Sequence, residues 1–250
     1  MALFTAGAIY HMLGTYDGLG MKQVVESHEY QMTKIVSTDE RLFYDDGRYI
    51  SLTGIDVSVF QNQIDWKAVK ADGVDFVMIR LGFRGYGDGK LYLDDCFEDN
   101  LKGAKEAGLD IGVYFFSQAV TPEEAIEEAR FVVRHIRGKG ITFPVAFDME
   151  PIDGTERTAD LTKQQKTEIA DAFCQVVKRN GYTPLIYGNP QWLGKHIDLS
   201  YLTKYDTWLA HYTNTTFYDK KFLMWQYTDN GNVAGIEGPV DMNIYFVEKD

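Results

Sequence analysis

The chain has 250 residues, 45% of them hydrophobic and 14% aromatic, so it can bury a sizeable core as one large domain or as a domain with a small appendage. Its formal net charge of −12 and pI near 4.9 argue against a nucleic-acid partner, because binding to phosphate backbones depends on lysine and arginine. No run approaches the roughly 20 consecutive apolar residues of a membrane-spanning helix.

Residues 1–50 are predicted to form an N-terminal appendage, and residues 51–250 a barrel domain that carries the candidate catalytic residues. Within the appendage, Asp46-Gly47 between alternating apolar residues predicts a β-hairpin near residues 42–51. The N-terminus lacks the basic segment and the small-residue cleavage site of a signal peptide, so the sequence does not indicate an export route.

Eight short apolar or aromatic segments follow, separated by turn residues, and each is predicted to be a buried strand. They span residues 54–60, 76–83, 111–118, 144–150, 183–189, 207–213, 222–228 and 240–246. Near-continuous apolar strands are typical of a sheet that is covered on both faces.

Helical patterns fill the connections after the first five strands, whereas short hairpin-like turns join the last three. Thr121-Pro122 is typical of a helix start, and Gly108, Gly138 and Gly181 lie where helices are expected to end. The pattern predicts an α/β fold, an irregular TIM-like barrel of the type (β/α)5β3. A doubly wound open sheet is the competing architecture, but it needs helices between its later strands and usually has a glycine-rich phosphate turn.

Asp148 and Glu150 are the first candidates for a catalytic pair. Side chains at i and i+2 in a strand point to the same face, and this pair lies at the C-terminal end of the fourth strand, where barrel enzymes place catalytic groups. Cleaving a glycosidic bond needs one acid to protonate the leaving oxygen and a second carboxylate to handle the developing cationic sugar. An isolated Asp-x-Glu pair, however, more often caps a helix or binds an arginine.

Asp56 in the first strand and Asp241 in the eighth favour a catalytic role for the pair over a structural one. The first and last strands of a closed barrel are neighbours, so both acids are expected at the same mouth. Buried acids are costly unless they are paired, and Arg80 at the end of the second strand is the basic residue placed to compensate them. We therefore predict a catalytic set of Asp148, Glu150, Asp56 and Asp241.

Aromatic side chains in strands three to seven indicate the substrate class, since flat aromatic faces suit the apolar faces of sugar rings. Burial in the core is the alternative for each of them, and the case for a binding role is strongest for Trp208 and Tyr187. The predicted substrate-binding residues are Arg80, Tyr114, Phe116, Tyr187, Asn189, Trp208, Tyr212 and Trp225.

No metal site is predicted. The five histidines form no HxH or HExxH spacing and have no cluster of cysteine partners. Cys96 and Cys174 are far apart and lie in helix-like segments, which predicts two buried free thiols.

Several motifs occur in order along the chain: GIDVS, DDCFEDNLKGAKEAGLDIGVYFF over residues 94–116, PVAFDMEP, WLAHY, WQYT and VDMNIYF. Together they resemble the family 25 glycoside hydrolases, which are lysozymes of bacteria and phages that act as N-acetylmuramidases. The resemblance runs from about residue 52 to residue 246 and leaves out the appendage. One departure is Phe115, where many relatives carry histidine; alternation predicts that Phe115 points away from Tyr114 and Phe116.

The resemblance implies a bacteriolytic hydrolase that cleaves the β-1,4 bond between N-acetylmuramic acid and N-acetylglucosamine in peptidoglycan. Glu150 would be the general acid, Asp148 its partner, and Asp56 and Asp241 supporting acids, with no cofactor. Anomeric configuration would be retained, with either Asp148 or the substrate's own 2-acetamido carbonyl as the nucleophile. The expected partner is the glycan strand, the expected state a monomer, and the expected location the extracellular space or the cell wall, including release by a phage.

Two alternatives stay open at this stage. A chitinase-like hydrolase of N-acetylglucosamine polymers also uses an Asp-x-Glu pair at the end of a fourth barrel strand. A non-catalytic cell-wall-binding module could keep the aromatic groove, although such a module has no need for a costly cluster of acids.

Overall fold

A closed ring of eight strands forms the centre of the protein. The computed structural model describes residues 16–39, 41–152 and 154–249. Its strands are β1 (Ile35–Thr38), β2 (Arg41–Tyr44), β3 (Tyr49–Val57), β4 (Phe76–Arg84), β5 (Leu91–Leu93), β6 (Asp110–Phe116), β7 (Val145–Asp148), β8 (Pro184–Gly188), β9 (Asp206–Ala210), β10 (Met224–Gly231) and β11 (Val240–Glu248).

The five helices expected from the sequence are present. They are α1 (Trp66–Ala71), α2 (Phe97–Ala107), α3 (Pro122–Ile136), α4 (Lys163–Arg179) and α5 (Pro190–Lys195). Their ends follow the local sequence. The Thr121 side chain caps α3 by accepting a hydrogen bond from the Glu124 amide, and Gly108 ends α2 in the left-handed conformation, with φ of 73°.

The ring has the order β3, β11, β10, β9, β8, β7, β6, β4, and pairing of β3 with β4 closes it. All neighbours from β3 through β4 and β6 to β10 are parallel, whereas β11 runs antiparallel to both β10 and β3. β5 is a ninth strand of this sheet. It pairs with the C-terminal end of β4, which extends beyond the part of β4 that pairs with β3. β5 therefore extends the barrel wall at the rim.

The predicted TIM-like barrel, (β/α)5β3, is wrong. A TIM barrel consists of parallel strands that are each followed by a helix. Here β11 is antiparallel to both neighbours, and five α-helices among the described residues accompany a molecule that is mostly sheet. The reason is the short link of residues 232–239 between β10 and β11, because a parallel pair needs a crossover of roughly a dozen residues or more. The fold is an eight-stranded β-barrel.

Strand alternation divides the apolar side chains into two cores. Phe76, Met78, Leu185, Trp208 and Met224 belong to the core inside the barrel. The alternate residues of the same strands face outward and form a larger core with the helices. Phe115 lies in this outer core with no exposure, as predicted from its position between two inward-facing residues.

The N-terminal segment packs against the outside of the barrel. β1 and β2 form a separate two-stranded antiparallel sheet, and the turn at residues 45–48 leads from β2 into β3, at the predicted hairpin. The Tyr30 ring stacks on Phe246 with their centroids 3.9 Å apart. Residues 1–15 of the predicted appendage lie outside the described residues, and the division of the chain at residue 50 stays a prediction. Cys174 is a buried free thiol, whereas Cys96 is free but only half-buried.

Candidate active site

The four predicted acids meet at one rim of the barrel. Asp148 ends β7, and Glu150 follows two residues later. Asp56, near the end of β3, is the direct ladder partner of Asp241, near the start of β11. Because β11 is antiparallel, its start lies beside the end of β3. In an all-parallel barrel Asp241 would lie at the opposite rim, so the strand direction that contradicts the predicted fold is what completes the acid cluster.

Asp56 is buried and held by two amides. The Gln226 Nε2 and Asn243 Nδ2 groups each donate a hydrogen bond of 2.8 Å to its Oδ2 atom. Burial raises the pKa of Asp56 to about 6, the two amides oppose this rise, and the nearby Glu150 adds to it. The amides themselves are fixed from behind, since Trp208 Nε1 donates to Asn243 Oδ1 at 2.8 Å.

Asp148 and Glu150 form a directly hydrogen-bonded carboxyl pair. Burial raises the pKa of Asp148 well above its ordinary value, and the charges of Glu150 and Asp56 add to this effect. Burial also raises the pKa of Glu150, although the hydrogen bond from Asp148 lowers it. Asp148 therefore keeps its proton to a higher pH than an ordinary aspartate and donates it in a hydrogen bond to Glu150. Within the described residues the Asp148 Oδ1 atom is buried and has no hydrogen-bond partner.

We expect the free energy of unfolding to fall as pH rises from about 4 to about 8. Burial, with Asp56 as a like charge, raises the pKa of Asp241 from 3.8 to about 8, and the pKa of Asp56 rises to about 6. In this range the folded chain binds protons that the unfolded chain has lost, so raising the pH favours unfolding. Urea unfolding at about pH 5, 7 and 8.5 measures the slope, and Asp241→Asn should reduce the fall by more than about 1 kcal/mol. Equal slopes in the two proteins would contradict the raised pKa of Asp241.

Three predicted aromatic residues lie together beneath the acids. Tyr114 and Tyr187 pack edge-on against Trp208, with ring centroids 5.9 Å and 4.8 Å away. Tyr187 and Tyr212 both donate to Gln226 Oε1, at 2.8 Å and 3.1 Å, and thereby orient the amide that binds Asp56. Trp208 is 1% exposed and Tyr187 7%, so they shape the floor of the site, whereas Tyr212 is 52% exposed and offers a face to a ligand.

The remaining predicted residues are placed differently. Trp225 has no exposure and points into the outer core, where its Nε1 donates to the His211 carbonyl at 2.8 Å. Asn189 caps α5 by accepting a hydrogen bond from the Trp192 amide. Arg80 and Phe116 lie at the rim and line one cavity there, and Arg80 Nε donates to Asp94 Oδ2 at 2.7 Å. The structure therefore does not bring Trp225 to the acid cluster.

Gln226 and Asn243 were not among the predicted site residues, although both lie in motifs quoted above. Alternation could have identified them. Asn243 is two residues after Asp241 and faces the same side, and Gln226 follows the outward-facing Trp225. Trp208 faces into the barrel and Trp225 faces outward. This assignment depends on the register of β10 against β9, which the sequence does not specify.

A buried ion-pair network supports the strand ends behind Asp148. Arg84 Nε donates to Glu128 Oε1 at 2.8 Å, and Ser117 Oγ donates to Glu128 Oε2 at 2.6 Å. The Ser117 amide in turn donates to the Asp148 carbonyl at 2.7 Å. Burial raises the pKa of Glu128 to about 7, although Ser117 and Arg84 both lower it. The network ties β4 and α3 to the backbone of Asp148.

No helix in the described ranges is long and apolar enough to cross a membrane. In those same ranges, no group of three or more His, Cys, Asp or Glu side chains has a geometry that could hold a metal ion.

Comparison with known families gives a match over most of the barrel. The family model described as "Glycosyl hydrolases family 25" matches residues 55–236. Similar curated proteins include YegX of Escherichia coli, 30% identical over 204 residues that cover 78% of this chain and 70% of YegX. The autolytic lysozyme of Clostridium acetobutylicum is 28% identical over 193 residues, which cover 77% of this chain and 55% of the lysozyme.

A solved structure shares the fold. The modular autolysin LytC of Streptococcus pneumoniae, in complex with a synthetic peptidoglycan ligand, superposes with a TM-score of 0.71 at 23% identity. The match covers 84% of this chain and 52% of LytC, so the chain spans about half the length of that autolysin.

Proposed function

This chain belongs to glycosyl hydrolase family 25, and we propose that it is a muramidase that cleaves the β-1,4 bond between N-acetylmuramic acid and N-acetylglucosamine. The proposed partner is the glycan strand of peptidoglycan, which the protein would meet as a monomer outside the cell or in the cell wall. The names of relatives support this substrate, since an autolytic lysozyme and a lysozyme of Streptomyces globisporus match most of the chain.

Asp148 ends β7 and Glu150 follows two residues later, with each carboxyl group affecting the pKa of the other; this close pair is the observation that carries the proposal. Inverting glycosidases keep their two carboxyl groups far enough apart to admit a water molecule, roughly 6.5–9.5 Å. Two carboxyl groups in direct contact leave no such room. The pair therefore favours retention of anomeric configuration.

We assign the general-acid role to Glu150, because Glu150 is only half-buried whereas Asp148 is buried. Burial also raises the pKa of Glu150, so in the reactive form Glu150 carries a proton of its own. That proton passes to the glycosidic oxygen as the bond to the anomeric carbon breaks. Asp148 is a poor nucleophile while it is buried and protonated. The substrate's 2-acetamido carbonyl oxygen then attacks the anomeric carbon and forms a cyclic oxazolinium ion.

Asp148 orients that acetamido group in the proposed reaction. Its proton is donated to Glu150, and its Oδ1 atom is buried without a partner among the described residues. A small rotation of the side chain would bring this oxygen to the surface, where it would accept a hydrogen bond from the acetamido N–H. Water then attacks the anomeric carbon from the face that the leaving group vacated, and Glu150 takes up a proton from that water. Glu150 regains its starting state, and the two displacements together retain configuration. Asp56, which is ionised above about pH 6, adds negative charge that stabilises the developing cation, and Asp241 is its supporting neighbour.

Digestion of purified peptidoglycan tests the proposed bond. We expect the wild-type protein to release fragments whose new reducing ends are N-acetylmuramic acid, because Glu150 would protonate the oxygen that links this sugar to N-acetylglucosamine. Reduction of the digest with borohydride followed by mass spectrometry identifies the end sugar. New N-acetylglucosamine ends would instead support a chitinase-like specificity, and wall binding without new ends would support a binding module.

A further inference from the structure

A cavity of about 450 Å³ opens at the rim of the barrel beside the acid cluster. We call it the hairpin pocket, because the β4–β5 hairpin forms much of its wall. Its volume lies within the range of small-molecule sites. Its principal lining residues are Phe60, Arg80, Phe83, Tyr86, Tyr92 and Phe116.

The hairpin pocket adjoins the proposed active site. Phe116 lines the pocket and is the direct strand partner of Asp148 between β6 and β7. Arg80, which also lines the pocket, is close enough to lower the pKa of Asp148 against the effect of burial. A polymer bound across Asp148 and Glu150 therefore has the pocket directly beside it.

Aromatic rings are unusually accessible here. Phe60 is 75% exposed and Tyr86 60% exposed. Phe83 and Tyr92 stack behind them, with centroids 5.3 Å apart and planes at 24°. The hairpin that carries them is fixed by the Tyr92 hydroxyl, which donates to Asp88 at 2.6 Å. The hairpin is thus fixed before a ligand binds, which lowers the entropy cost of binding.

The charges in the hairpin pocket do not suit an anion. Arg80 is bound to Asp94, whose side chain is fully buried, and its guanidinium lies 4.9 Å from the Phe60 ring centroid. Arg84 is bound to Glu128 and Glu127. Asp95 also lines the pocket and is exposed. Both arginines are therefore neutralised, and a ligand with free carboxylates would find no unpaired cation among these residues.

We propose that the hairpin pocket is a subsite for a neutral N-acetylated pyranose ring of the glycan strand, next to the bond that is cleaved. The aromatic faces stack on the apolar face of the ring, and Asp95 accepts hydrogen bonds from its hydroxyl groups. The peptide stem carries free carboxylates and is excluded by the charge balance. The identity of the polymer rests on the proposed function.

Binding measurements in a Glu150→Gln background test the subsite without hydrolysis. The probes are soluble glycan strands freed of peptides by an amidase, and the same strands before amidase treatment. Phe60→Ala and Tyr86→Ala should each weaken binding of the peptide-free strands by about threefold to tenfold in calorimetric titration, because each removes one stacking face. Phe43→Ala on β2 is the matched control, since Phe43 is 42% exposed but lies outside the pocket, and it should leave affinity unchanged.

Three results would overturn the subsite: unchanged affinity in both pocket variants, failure of the parent to bind peptide-free strands, or a loss confined to strands that still carry peptides. The last would assign the pocket to the stem. The activity is judged separately by release of reducing ends. A wild-type protein that releases none would contradict the proposed function but leave the binding comparison intact.

Discussion

Replacing Glu150 with glutamine is expected to lower kcat on purified peptidoglycan by at least about 10³-fold, with little change in KM. Glutamine has nearly the same shape and can still accept the hydrogen bond from Asp148, but it cannot transfer a proton to the glycosidic oxygen. Uncatalysed departure of a sugar alkoxide is slow, so this loss should exceed that of every substitution in the groove. Reducing-end release under single-turnover conditions measures the chemical step directly.

Glu123→Gln is the matched control for this variant. Glu123 is exposed in the first turn of α3, so the same chemical change there should leave kcat within about twofold of wild type. Binding of glycan strands should be similar in Glu150→Gln and wild type. A kcat within tenfold of wild type for Glu150→Gln would remove Glu150 from the general-acid role and make Asp148 the remaining acid of the pair.

The elements of the fold could be predicted from the sequence more reliably than their arrangement. Each predicted barrel strand overlaps an observed one, and the caps at Thr121 and Gly108 mark real helix ends, because these signals are local. Strand direction is not local. The short link of residues 232–239, one of the hairpin-like turns predicted from the sequence, was the available signal that β11 turns back on β10, and the TIM-like assignment did not make use of it.

The residues of the candidate site could also be predicted only in part. Asp148 and Glu150 could be predicted from their Asp-x-Glu spacing and from their position at the end of a strand. Asp56 and Asp241 could be predicted because the first and last strands of a closed barrel are neighbours. Trp225 was predicted as a ligand contact because it is aromatic, yet burial in the outer core is equally compatible with that residue type. Gln226 and Asn243, whose amides bind Asp56, carry no charge. Their residue types alone therefore did not identify them as site residues before the strand register was known.

Replacing Arg84 with methionine is expected to lower the free energy of unfolding by about 3–5 kcal/mol at about pH 8. Arg84 is 3% exposed, and its removal leaves the fully buried Glu128 carboxylate with the Ser117 hydroxyl but without a countercharge. The loss should be smaller at about pH 6. Removing Arg84 removes a charge that lowers the Glu128 pKa, so the lone carboxyl group takes up a proton there and becomes neutral. Urea unfolding at both pH values measures the difference.

Arg134→Met is the control for loss of an arginine. Arg134 is exposed near the end of α3, so its replacement should lower the free energy of unfolding by less than about 0.5 kcal/mol. An equal loss for Arg84→Met at both pH values would contradict the idea that an ionised Glu128 is the source of the cost.

The double variant Arg84→Met/Glu128→Leu separates stability from positioning. With both charges removed, no buried ion lacks a partner, so most of the lost stability should return. Activity should not return with it, because Ser117 loses the carboxylate that fixes its hydroxyl group, and its amide holds the Asp148 carbonyl. We therefore expect a stable protein whose kcat is reduced about tenfold while its KM is unchanged. Full recovery of kcat would mean that the network stabilises the fold without positioning Asp148.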